Sequence, residues 1–236
     1  MLGSCSALAF RNKRMHFQDD RVLTISSTED MLRILESKGN SLRDYIKGTR
    51  VTVFNKMEQA GYSYVLKERP GTRFAEGFEP YYSPAEILKM GAFSGKYLND
   101  CLLEFPKEWF MEAIKNDKLS PQGPNANCNF LEVESRLYLQ KWQESGWVPN
   151  NNGHVAKRYP LLSDREKNHD IRGWFQWYCR YWMGRREAEI DQVQIKRWRA
   201  FKRHAGQIKA NCRKGDLSCR PVQRQALLQW AHQVDG

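Results

Sequence analysis

The 236-residue chain has no long charge-free apolar run, and its mean hydropathy is -0.73. A membrane-spanning helix is excluded by that pattern. Its five histidines (His16, His154, His169, His204 and His232) are scattered. No Ser-His-Asp or Cys-His arrangement can be assembled from their spacing. Six cysteines in a chain that reads as lacking a secretory signal are expected as reduced thiols, not as a disulfide framework. Positive charge follows the mildly apolar Met1–Phe10 stretch instead of preceding it. A cytoplasmic or nuclear protein is therefore expected. The lack of acidic residues before Asp19 keeps an organellar leader as the alternative. No internal repeat or low-complexity tract is present.

Acidic residues are scarce in one place only. Residues 157–236 carry 18 basic side chains against 8 acidic, whereas residues 1–156 carry 20 against 19. The formal net charge of +11 thus sits almost wholly in the last third. Such asymmetry makes a positive field that attracts polyanions. Nucleic acid is the expected partner, with an acidic protein as the alternative, and no membrane partner is expected.

Aromatic residues make up 12% of the chain, too many for disorder. Apolar periodicity predicts a mainly α protein with a minor N-terminal strand component, an aromatic-rich core and a C-terminal helical hairpin. Residues 1–20 read as a flexible N-terminal segment and 21–150 as a mixed α/β part. Residues 151–236 read as a basic helical part packed on it as one unit. Strands are predicted over Arg21–Ser26, Arg50–Phe54 and Tyr62–Lys67, and a helix over Glu29–Lys38 with Leu32 and Leu35 inward. A short helix starts at Asn40 or Ser41. Ser83-Pro84-Ala85-Glu86 has the form of a capping box, with Gly91 as the stop. Pro106 opens a helix to Lys115, and Glu132–Glu144 reads as another, with Leu137 and Trp142 inward. Ile190, Val193, Trp198, Phe201, Ala205 and Ile208 form one stripe, which predicts a helix over 187–211. A last helix is predicted over Arg220–Gln233, burying Val222, Leu227 and Leu228.

The most unusual segment is Gly173–Arg186 (GWFQWYCRYWMGRR). As a helix it is apolar nearly all round, so Arg180 becomes a buried cation in need of a partner. That partner is a phosphate or base held with Gln176 and Trp177, or a structural carboxylate. Arg185 and Arg186 contact phosphates, or neutralise the helix C-terminus. Arg197 falls inside the apolar stripe and should find an acceptor at Asp170, Asp191 or a C-terminal carbonyl. Lys196, Arg199, Lys202, Arg203, Arg220 and Arg224 form the expected nucleic-acid face.

The enzyme alternative uses Lys96 and Arg180 as anion-holding groups, with Asp100, Glu108 and Asp191 as catalytic carboxylates. His204, Cys212, Cys219 and His232 lack the spacing of a zinc site, so neither metal nor cofactor is expected. Cys212 and Cys219 instead invite comparison with a redox-sensitive pair across a turn.

Several segments carry a likeness: Phe93-Ser94-Gly95-Lys96-Tyr97, Pro106-Lys107-Glu108-Trp109, Arg172–Tyr181, Cys219-Arg220-Pro221 and Arg224–Leu228. With these the chain resembles a family of uncharacterised proteins from about residue 62 to its end. No activity is established for that family, so the resemblance implies none.

Overall fold

The computed structural model describes residues 25–53, 62–150 and 152–235. The strand predicted over Arg21–Ser26 lies mostly outside them, and Ile25 and Ser26 are not in a strand. Helix α1 (Thr28–Lys38) starts where Ser27 accepts a hydrogen bond from the Asp30 N–H at 3.1 Å. It buries Met31 and Leu35, four residues apart on one face, while Leu32 sits half-buried at the edge. Strands β1 (Arg50–Val53) and β2 (Tyr62–Val65) pair antiparallel, with Arg50 opposite Val65 and Val53 opposite Tyr62. Val51, Val53 and Tyr64 turn toward the core.

Helix α2 (Pro84–Met90) carries both halves of its capping box. The Ser83 hydroxyl accepts from the Glu86 N–H, and the Glu86 carboxylate accepts from the Ser83 N–H. Gly91 ends it at φ 99°, where an added Cβ would sit 1.9 Å from the Cys128 carbonyl oxygen. Helix α3 (Lys107–Lys115) follows Pro106 and buries Trp109, Phe110 and Ala113 against α1 and α2.

The helix expected over Glu132–Glu144 is only six residues long, α4 (Leu139–Glu144). The preceding residues are committed to bracing another loop. Asn129 accepts from the Ser94 N–H at 2.8 Å and donates to the Val133 carbonyl at 2.7 Å. The Ser94 hydroxyl donates to Glu134 at 2.8 Å, and Glu132 takes a left-handed φ of 54°. Leu137, expected inside, is therefore 49% exposed.

A short helix α5 (Pro160–Ser163) leads to α6 (Trp174–Met183), the aromatic helix. All of α6 except Trp182 is buried. Phe78 meets Trp177, Tyr178, Tyr181 and Trp198 with ring centroids 4.9–6.0 Å apart, mostly edge to face. The helix expected over 187–211 is two helices, α7 (Ala188–Phe201) and α8 (Arg203–Asn211). At Lys202 the backbone tightens: its N–H bonds to the Arg199 carbonyl and its carbonyl accepts from Ala205. Helix α9 (Pro221–Gln229) stops four residues early, because Ala231 turns left-handed at φ 55°. Val222 is 52% exposed, not buried.

A Cys212–Cys219 disulfide closes the turn between α8 and α9, so these two cysteines are not the reduced thiols expected; Cys101, Cys128 and Cys179 are free and buried. The fold is mainly α with a two-stranded sheet, and one cluster of buried apolar side chains runs from Met31 to Val234. No helix among the described residues is long and apolar enough to cross a membrane.

Candidate anion-binding face and cavity

Arg180 on α6 is fully buried. Its Nε and Nη2 donate to the two oxygens of Glu104 at 2.6 and 3.1 Å, and Nη1 donates to Asp170 at 3.0 Å and to the His169 carbonyl at 2.7 Å. The other Asp170 oxygen takes Arg185 Nη2 at 2.6 Å, while the Tyr64 hydroxyl donates to Glu104 at 3.0 Å. Desolvation alone would favour losing the Arg180 proton. Glu104 and Asp170 outweigh it and hold the guanidinium charged. Two cations and two carboxylates therefore compensate one another in the interior.

That network corrects part of the expected nucleic-acid face. Arg180 and Arg185 are buried and paired with Glu104 and Asp170, with no surface left for a phosphate. Gln176 accepts from the Arg172 N–H at 3.0 Å, and Trp177 donates to Asp191 at 2.8 Å, both inside the core. Arg224 is buried and donates to the Cys219 and Val234 carbonyls. Half-buried Arg186 donates to the Tyr181 carbonyl in the last turn of α6, the helix-end role that was the alternative.

The carboxylates expected for catalysis are likewise held in separate bonds. Asp100 pairs with Arg172 at 2.5 Å, and Glu108 accepts from Ser41 Oγ at 2.6 Å and from the Leu42 N–H at 3.1 Å. Asp191 accepts from the Glu187 N–H at 2.8 Å, one turn back at the start of α7. Burial pushes its pKa up to about 6. Lys96 donates to the Pro121 carbonyl, beside a 380 Å³ cavity that it shares with Asp100. Among the described residues, no group of three or more His, Cys, Asp or Glu side chains is placed to hold a metal.

The remaining predicted cations behave differently. Lys196, Arg199, Lys202, Arg203 and Arg220 are exposed, as are Lys209, Arg213 and Lys214. Among the described residues, none of the eight has a carboxylate within 4.0 Å. Arg199 is tied to backbone, donating to the Glu76 carbonyl at 2.5 Å. The others stand on α7, α8 and the turn to α9 as uncompensated charge.

Beside this face opens a cavity of about 720 Å³, walled by α4, the chain around Trp147 and Tyr159, the start of α6, and α7 to α9. Nine aromatic residues line it, including Trp142, Trp147, Tyr159, Trp174, Phe201 and Trp230. Six arginines do so too (Arg136, Arg158, Arg172, Arg197, Arg203 and Arg220), with no Asp or Glu among the described residues. Phe201 and Trp230 stack 4.5 Å apart, and Trp230 stacks on Trp174 at 4.7 Å, which fixes that wall. Phe93 and Arg220 hold left-handed φ values of 53° and 58° at its edges. Strained residues of this kind persist where surrounding structure over-determines them.

Arg197 is the group that the sequence half-revealed. Its place in the apolar stripe called for an acceptor, yet none of Asp170, Asp191 or a carbonyl takes that part. Nη1 donates to Gln194 Oε1 at 2.7 Å, and the guanidinium lies 5.3–5.5 Å from the Trp147, Tyr159 and Trp230 ring centroids. Burial pushes its pKa down to about 10, and no carboxylate among the described residues opposes that. Arg136, Arg158, Trp147 and Tyr159 carry no such mark in the sequence, because they lie in irregular chain or short elements with no period to follow. The chain matches no family model, no curated protein and no solved structure.

Proposed function

We propose that this is a nucleic-acid-binding protein that holds a phosphate backbone along α7, α8 and the turn into α9. The observation that carries the reading is the set of eight exposed Lys and Arg side chains with no carboxylate within 4.0 Å among the described residues. Cations already neutralised by neighbours displace few counterions, whereas uncompensated ones release them when a phosphate arrives. Contacts of this type give affinity and register without reading sequence. The adjoining aromatic walls favour single strands, whose unstacked bases present ring faces to stack on.

The test is fluorescence anisotropy of labelled single-stranded DNA, RNA and duplex DNA across a salt series. Binding is expected to weaken steeply with salt and to be stronger for single strands. Changing Lys196, Lys202, Arg203 and Lys209 to Gln should lower the logarithmic salt slope by about one for each phosphate no longer engaged. A slope near zero, or affinity that ignores strand length, would count against nucleic acid and toward an acidic protein.

A further inference from the structure

The cavity has chemistry that a basic surface does not need. Among the described residues the wall holds no carboxylate, which selects an anion, and four of its arginines (Arg158, Arg197, Arg203 and Arg220) have none within 4.0 Å. The aromatic side chains offer ring faces on which a flat ring can stack. An acyl chain would need no polar edge, yet the α8–α9 wall has one. Gln223 donates to Gln207 Oε1 at 2.6 Å and lies 2.9 Å from His204 Nδ1. A guanidinium carries five N–H donors, and Gln194 takes one from Arg197. The volume lies within the roughly 300–1,000 Å³ typical of small-ligand sites and is too small for a duplex.

We infer that this cavity binds one nucleoside monophosphate unit, with the base between the aromatic walls and the phosphate at the Arg197 guanidinium. Arg158, Arg203 and Arg220 at the cavity mouth neutralise the rest of the phosphate charge. The unit has two sources, a free nucleotide or the terminal nucleotide of a strand. The site stands apart from the nucleic-acid reading: a free nucleotide could bind here even if no strand binds outside.

Trp142, Trp147, Trp174 and Trp230 line the cavity, so intrinsic fluorescence of the full chain reports on its contents. Adenosine and uridine monophosphates should quench it saturably. Adenosine and inorganic phosphate should each bind at least about tenfold more weakly, since each lacks half of the recognised group. Arg197→Met should weaken monophosphate binding about tenfold. Arg158→Gln, an exposed position, should weaken it several-fold and keeps the test valid should the first variant not fold.

Equal affinity for adenosine and its monophosphate would overturn the assignment. So would tighter binding of laurate than of either nucleotide, or the absence of saturable quenching. Steep salt-dependent strand binding with inert monophosphates would overturn this inference alone, and the converse would overturn only the nucleic-acid reading. Preference for a 5′-phosphorylated pentanucleotide over its unphosphorylated form would make the strand end the source. Equal binding of the two pentanucleotides, with the monophosphate still bound, would make it the free nucleotide.

Discussion

Arg180 and Arg197 are both arginines drawn off the surface onto aromatic-rich helices, yet their surroundings differ in one respect. Arg180 meets two carboxylates and a carbonyl, and its charge is matched within the fold. Arg197 meets three rings and one amide, and no carboxylate among the described residues matches its charge. A buried cation with its counter-charge is a structural device whose removal leaves an uncompensated partner. A cation with ring faces alone is available to an incoming anion. Residue type and helical position do not separate the two cases; the neighbours do.

The largest expected effect is on the paired side. Asp170 serves Arg180 and Arg185 together, so Asp170→Ala takes from Arg185 its close carboxylate and leaves two buried cations sharing Glu104. It should cost about 3–5 kcal/mol in urea unfolding. A cost below about 1 kcal/mol would break the contrast, because the paired region would then be as tolerant as an exposed ion pair.

A second expectation sharpens the contrast on the uncompensated side. His232 stacks on Trp198 with centroids 4.7 Å apart and lies 3.1 Å from its carbonyl oxygen. Burial is the main force pushing its pKa down to about 4, and the charges of Lys202 and His204 add to it. The unfolded ring takes up its proton near pH 6.5 and the folded ring only near pH 4. Stability attributed to this residue is therefore full above about pH 6.5 and is lost as pH falls toward 4. Asp191 works in the opposite direction: its pKa is raised to about 6, so the folded state gains on acidification through that range. The difference between His232→Phe and the native protein isolates the histidine. The variant should gain on the native protein by up to roughly 3 kcal/mol between pH 6.5 and 4 in pH-dependent unfolding. A difference that stays flat with pH would show that the ring is not held neutral.

The sequence made the regular elements legible wherever a local device fixed them. Ser83-Pro84-Ala85-Glu86 places both capping bonds within four residues, and Gly91 marks a helix end by its left-handed backbone. The aromatic helix was legible too, because a stretch apolar all round has only the interior to occupy. What failed depended on distant partners. Glu132–Tyr138 has helical periodicity but braces the Ser94 turn, some forty residues away in sequence. The break at Lys202 leaves no mark in the stripe, since Trp198, Phe201 and Ile208 all still pack inward or partly so.

The candidate site divides the same way. The charge of the last third marked Lys196, Lys202 and Arg203 correctly as exposed cations. Charge alone could not tell that Arg180, Arg185 and Arg224 would be taken up by the interior. Nor could it show that Arg136 and Arg158 would face Arg197 across a cavity, because that depends on how irregular chain wraps around α7.

The smallest stability effect belongs to Arg197, and it leads to the decisive comparison. Arg180→Met and Arg197→Met remove the same group and keep a similar apolar stem. Unfolding free energy and adenosine monophosphate affinity should be measured for both variants. Arg180→Met is expected to lose about 3–5 kcal/mol of stability with little change in affinity, while Arg197→Met changes stability by less than about 1 kcal/mol and loses affinity about tenfold. The opposite assignment, with Arg197 needed for folding and Arg180 for binding, would contradict this division between a paired and an available cation.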